Sequence, residues 1–133
     1  MVMSYEYAAK LICGTKREEG GFANGIYETL INIHNPYKEK QEFQYKLALA
    51  GEAKDGKIFM PFKSSTIAAD GAQSFGCRTI RKIYDQVGPS MIEGFFVIHS
   101  KFPLDVIAVY TTNDESGKGV PAIEVERVFE RQF

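Results

Sequence analysis

The side chains able to do acid–base or metal chemistry are few and far apart. His34 and His99, the two histidines, each close a strand-like stretch, Ile26 to His34 and Glu93 to Ser100. Asp105 stands between Leu104 and Val106, apolar company that would raise the pKa of a buried carboxyl and suit it to proton transfer. Brought to one wall, His34, His99 and Asp105 would form a polar pocket for a small ligand or for hydrolysis. Zinc would ask for the same convergence. The spacing does not supply it, because no HxH or HxxxH pair exists, and no metal or cofactor is expected. The simpler reading gives each histidine a structural hydrogen bond at a strand end and gives Asp105 backbone amides at a strand start.

Other chemistries are excluded one by one. No Ser or Cys sits in a nucleophile motif such as GxSxG. Ser116-Gly117-Lys118-Gly119 lacks the GxxxxGK[ST] spacing of a phosphate loop. Asn113, Glu115 and Glu124 fall at calcium-loop positions, but Lys118 occupies the place of the required glycine. Arg78, Arg81 and Lys82 cluster around a helix start, where an anion would be welcome, although a solvated helix face accounts for them as well. Cys13 and Cys77 belong to no CxxC pair and are expected as two reduced thiols packed as small hydrophobes.

The whole chain supports this restraint. With 133 residues it suits one domain, residues 1–133, large enough to fold without a metal. Lys and Arg total 16 against 17 Asp and Glu, a net charge of -1, so neither nucleic acid nor an anionic membrane is an expected partner. The N-terminus lacks the basic start and apolar core of a secretory signal, and no apolar run approaches a membrane span of ~20 residues. The expected location is the cytoplasm.

The elements that must position these residues are mostly strands. Tyr5, Tyr7, Ala9, Leu11 and Cys13 alternate, as do Phe43, Tyr45, Leu47 and Leu49. Gly14 to Gly21 is charged and glycine-rich, the composition of a loop. Asn24-Gly25 launches Ile26 to His34, and Asn35-Pro36 stops it. Asp55-Gly56 predicts a hairpin turn between Gln41–Ala50 and Lys57–Met60. Ile80, Ile83, Tyr84 and Val87 follow helical spacing, so a single short helix is expected at about 79–88, capped by Thr79 and stopped by Gly88-Pro89. The last third is strand again, with Asn113 to Gly119 as a hairpin loop. Some eight strands predict an all-β fold, an antiparallel β-sandwich.

Several of these strands are apolar on both faces: Ile26 to Ile33, Phe95-Phe96-Val97-Ile98 and Val106 to Tyr110. One face must look into the sandwich, and the other needs a cover because large exposed apolar patches are uncommon on monomers. A second copy of the chain would supply it, with Ile26, Leu30, Phe96, Ile98, Ile107 and Val109 as interface candidates. The rival reading covers them with the helix and long loops.

The stretches Ile12-Cys13-Gly14, Tyr27 to Pro36, Gly94 to Ile98, Leu104 to Thr112 and Ile123 to Val128 resemble a family of small bacterial β-sandwich proteins of uncharacterised activity. The order of features also resembles the sensory rhodopsin transducer family. There a His-Glu-Thr strand leads to an Asn-Ala turn, corresponding to Tyr27-Glu28-Thr29 and His34-Asn35-Pro36, and a Ser-x-x-Pro step matches Ser100 to Pro103. That resemblance implies a small β-sandwich that forms homo-oligomers and acts by interaction rather than catalysis. Tyr27 stands in place of the family's histidine. The expectation is thus a non-catalytic, self-assembling structural or interaction module, with a ligand pocket or hydrolase on His34, His99 and Asp105 as the alternative.

Overall fold

Period-two alternation builds most of the chain. The computed structural model describes residues 3–17, 20–51, 54–88, 90–114 and 122–132. Its strands are β1 (Tyr5–Lys16), β2 (Gly25–His34), β3 (Gln41–Gly51), β4 (Lys54–Ile67), β5 (Ala72–Gly76), β6 (Ile92–Ser100), β7 (Asp105–Asn113), β8 (Ala122–Arg127) and β9 (Arg131–Gln132). Helix α1 (Cys77–Ile83) follows β5, and a 3₁₀ turn spans Asp85–Val87. All pairings are antiparallel and run in the order β4-β3-β6-β1-β2-β7-β8, with β5 on β2 and β9 on β1.

This path folds into the two layers of an all-β sandwich because β1 changes partner. Residues Tyr5 to Cys13 pair with β6, whereas Gly14 to Lys16 pair with β2. The first layer is therefore β4-β3-β6-β1 and the second β5-β2-β7-β8. Between them lie Tyr7, Leu11, Ile31, Ile33, Phe43, Leu47, Phe96, Ile98 and Val106, all essentially inaccessible to solvent. Aromatic rings cross the gap: Phe75 of β5 lies 5.0 Å from Phe96 and 5.1 Å from Tyr45. Polar ties cross it too. The Tyr7 hydroxyl donates to the Leu104 carbonyl at 2.9 Å and accepts from the Leu104 N–H at 2.7 Å. Thr29 Oγ1 serves both the N–H and the carbonyl of Ile12, and the Tyr110 hydroxyl donates to the Lys10 carbonyl. Tyr7 thus satisfies the buried backbone of Leu104, while Thr29 and Tyr110 satisfy backbone groups of β1.

The cysteines are a correction. Cys13 and Cys77 form a disulfide, with 5.8 Å between their Cα atoms. Spacing along the chain hides a contact made only when β1 crosses to the second layer and α1 begins beside it. With the cysteines separated by 64 positions in sequence, loop-closure entropy alone gives such a bond about 4 kcal/mol of stabilisation.

Smaller expectations also shift. The helix starts at Cys77 rather than Thr79, because Gly76 leaves β5 in extended geometry and serves as the N-cap. It ends at Ile83, and the 3₁₀ turn carries the rest of the predicted span. Its apolar face is as the spacing predicts: Ile80 and Tyr84 are buried, with Ile83 and Val87 packed against the core. Gly14 to Lys16, predicted as loop, continue β1. Asp55-Gly56 lies inside β4 rather than at the hairpin turn, beside a register irregularity. A Cβ on Gly56 would sit 1.7 Å from the Leu49 carbonyl oxygen, so this glycine serves a close approach of backbones. Residues 52 and 53, and the Ser116 to Gly119 stretch with the Lys118 and Glu115 positions, lie outside the described residues.

Candidate functional site

The end of β2 carries the most polar cluster. His34 stands opposite Asp105 in the β2–β7 register, and its Nδ1 lies 2.8 Å from Asp105 Oδ2. Its Nε2 lies 2.9 Å from Asp70 Oδ1. Asp70 sits in the tight turn before β5 with φ of 53°, a conformation Asp tolerates better than most residues. The hydrogen bond that the ring donates to Asp105, and then the one it donates to Asp70, raise the His34 pKa above its ordinary value. Asp105 is exposed at its strand start, so it is not a buried acid, and its partner is an imidazole rather than backbone amides.

His99 is not part of this cluster. It lies on the outer side of the first layer, where Nε2 meets Glu6 Oε2 at 2.7 Å and the ring packs 4.6 Å from Phe62. Arg131 of β9 holds the other Glu6 oxygen. Burial pushes the Glu6 carboxyl up, but the hydrogen bonds from Arg131 and His99 outweigh it and leave the pKa lowered. The three-residue pocket of His34, His99 and Asp105 is thus not assembled. Among the described residues, no group of three His, Cys, Asp or Glu side chains is placed to hold a metal ion.

The apolar strand faces separate into two cases. Phe96 and Ile98 are wholly buried, so these two interface candidates belong to the core, and the outward face of β6 is Phe95 and Val97. Lysines overlie part of that face, yet Phe95 is still 43% exposed and Ile58, in the same row through Ala48, 63%. The Lys10 ammonium lies 5.2 Å from the Phe95 ring centre, and Lys46 lies 5.1 Å from that of Phe62. Long cationic side chains lay their stems over apolar surface in this way.

The outer face of the second layer carries an exposed apolar patch of its own. Register places Leu30, Val109 and Val125 in one row, with Glu28, Thr111 and Ile123 on one side of it and Asn32, Ile107 and Arg127 on the other. Leu30 is 40% exposed, Val125 64% and Ile123 67%. Ile26, Ile107 and Val109 are half-buried on the same face. Ile123 and Val125 are not among the interface candidates read from the sequence, and the signal that could find them is their alternation with Glu124 and Glu126.

A cavity of about 520 Å³ opens where the end of β1, the start of β2 and α1 meet. Cys77 lines it, with Arg78, Arg81 and Lys82 of α1 and Glu28 of β2. Arg81 bonds the carbonyls of Gly88, Cys13 and Ser90, which fixes the chain after α1 against β1.

No helix among the described residues is long and apolar enough to cross a membrane. No protein-family model matches the chain, and no curated protein matches it. Among solved structures, the crystal structure of Thermotoga maritima 1070 is similar, with a TM-score of 0.56 over 96% of this chain and 92% of that one. At 13% identity, what the two share is the fold.

Proposed function

We propose that this chain is a non-catalytic interaction module that self-assembles as a homo-oligomer through the outer face of its second layer. The observation that carries the reading is the row Leu30–Val109–Val125, flanked by Ile107 and Ile123, which brings exposed Leu30, Ile123 and Val125 together on one face. A second copy suits the face by charge. Glu28 and Arg127 stand at opposite corners of the patch. A two-fold axis along the Ile123–Val109–Asn32 diagonal sets each Glu28 against the Arg127 of the other copy, with the apolar rows stacked between. Such a contact is isologous and closes on itself. The resemblance to the sensory rhodopsin transducers supports the same reading. The cytoplasm is the location that goes with this reading, and the Cys13–Cys77 bond weighs against that location, because disulfides persist mainly in oxidising compartments.

The alternative, a ligand pocket or hydrolase on His34, His99 and Asp105, has less support. His99 faces Glu6 on the other layer, and both ring nitrogens of His34 are occupied by carboxylates.

Light scattering on purified protein tests the assembly. The expected outcome is a dimer or closed oligomer for the wild type and a folded monomer for Val109→Asp and Val125→Asp. Glu28→Arg and Arg127→Glu should each weaken assembly, and the double variant should restore it. A wild-type chain that stays monomeric at millimolar concentration overturns the proposal.

A further inference from the structure

The disulfide is asymmetric in its access. Cys13 is wholly buried, whereas Cys77 is half-buried and lines the 520 Å³ cavity. That volume lies within the range of small-molecule sites. Its charged side chains are three cations, Arg78, Arg81 and Lys82, and one carboxylate, Glu28, among the described residues. Arg81 is held rigidly by three backbone carbonyls, one of them that of Cys13, so a fixed positive charge stands beside the disulfide. A concave surface with this balance draws anions and favours a thiolate over a thiol.

We propose that Cys77 is a thiol-exchange site for small anionic thiols, which enter the cationic cavity and open the Cys13–Cys77 bond to leave a mixed disulfide on Cys77. The thiolate of the incoming molecule attacks Cys77 Sγ, and a new S–S bond forms there. The bond to Cys13 breaks, and its electron pair leaves on Cys13 Sγ, which takes a proton from solvent. One thiol and one disulfide are consumed, and one thiol and one mixed disulfide are produced, so no outside oxidant or reductant is needed. Attack in the opposite sense, on Cys13, is blocked by its burial. The return step, Cys13 attacking Cys77, expels the small thiol and restores the clamp between β1 and α1.

The test compares opening rates with mercaptosuccinate and glutathione, which are anionic, against cysteamine, which is cationic. Each rate is divided by that thiol's rate on a neutral low-molecular-weight disulfide. The expected result is a preference for the anionic thiols of about tenfold. It should collapse in about 1 M salt and in the Arg78→Ser/Lys82→Ser variant. Peptide mass spectrometry of the trapped adduct should place it on Cys77. Equal normalised rates, an adduct on Cys13, or cysteines that remain free thiols after air oxidation would each overturn the proposal.

Discussion

His34 shows how one side chain ties together distant parts of the chain. Its ring bridges Asp105 at the start of β7 and Asp70 in the turn before β5, and two carboxylate partners favour the imidazolium. The folded chain therefore holds the proton more tightly than the unfolded one, whose histidine titrates near ~6.5. The sign follows: this contribution is complete below ~6.5 and is lost as pH rises through the folded pKa. A thermal melting midpoint measured against pH should step down as pH rises through the raised folded pKa in the wild type and lack that step in His34→Gln. NMR titration should find the His34 ring pKa raised in the wild type and returned toward ~6.5 in Asp70→Asn/Asp105→Asn; a wild-type ring already at the ordinary value contradicts the account. Glu6 works in the other direction, stabilising at ordinary pH and losing its contribution as pH falls through its lowered pKa. The Asp105 partnership could be guessed from strand ends that pair. Asp70 could not, because it depends on a tight turn folding back over 36 positions to reach the ring.

At the scale of elements, β1 decides the architecture. Its first nine residues obey the alternation visible in the sequence, and its last three cross to another layer. Sequence reading ends the strand at Cys13 because Gly14-Thr15-Lys16-Arg17 has the composition of a loop. Glycine there instead permits the crossover: Gly14 has φ of 123°, and a Cβ on it would lie 2.8 Å from the Met91 Cα. Both the dihedral and the backbone contact oppose any side chain. Gly14→Ala should cost about 3 kcal/mol, whereas Gly21→Ala, with positive φ but open space around it, should cost about 1 kcal/mol. Urea unfolding of the two variants checks the difference, and equal costs would mean that the crossover tolerates a side chain. The same limit explains Asp55-Gly56. A glycine serving a turn and a glycine serving a close backbone approach are written identically, and only the partner strand distinguishes them.

For the whole molecule, the two-sided strands leave apolar side chains exposed on both outer faces, Phe95 and Ile58 on the first layer and Leu30, Ile123 and Val125 on the second. The sequence displays apolar residues on both faces of β6 and β7 but not which lysine covers which ring, since Lys10 and Phe95 meet only across the β1–β6 register. The second layer ends at β8, an edge strand exposed on both sides. Its outer backbone edge, which pairs with no strand among the described residues, is a template for endless strand addition, yet its inner face presents Glu124 and Glu126. Tyr110 registers them: burial first, then the Glu126 and Glu124 charges, push its phenol up to about 12. Inward-pointing charges on an edge strand oppose pairing, because antiparallel addition of a second β8 brings carboxylates of the two copies opposite one another. In the proposed homo-oligomer these carboxylates would direct assembly to the face, where the contact closes, and away from the edge, where it would propagate. Glu124→Thr/Glu126→Thr should remove that barrier while keeping strand propensity. Electron microscopy should then show filaments or large aggregates where the wild type stays a small closed species. A double variant with unchanged size distribution would mean that something other than these two carboxylates guards the edge.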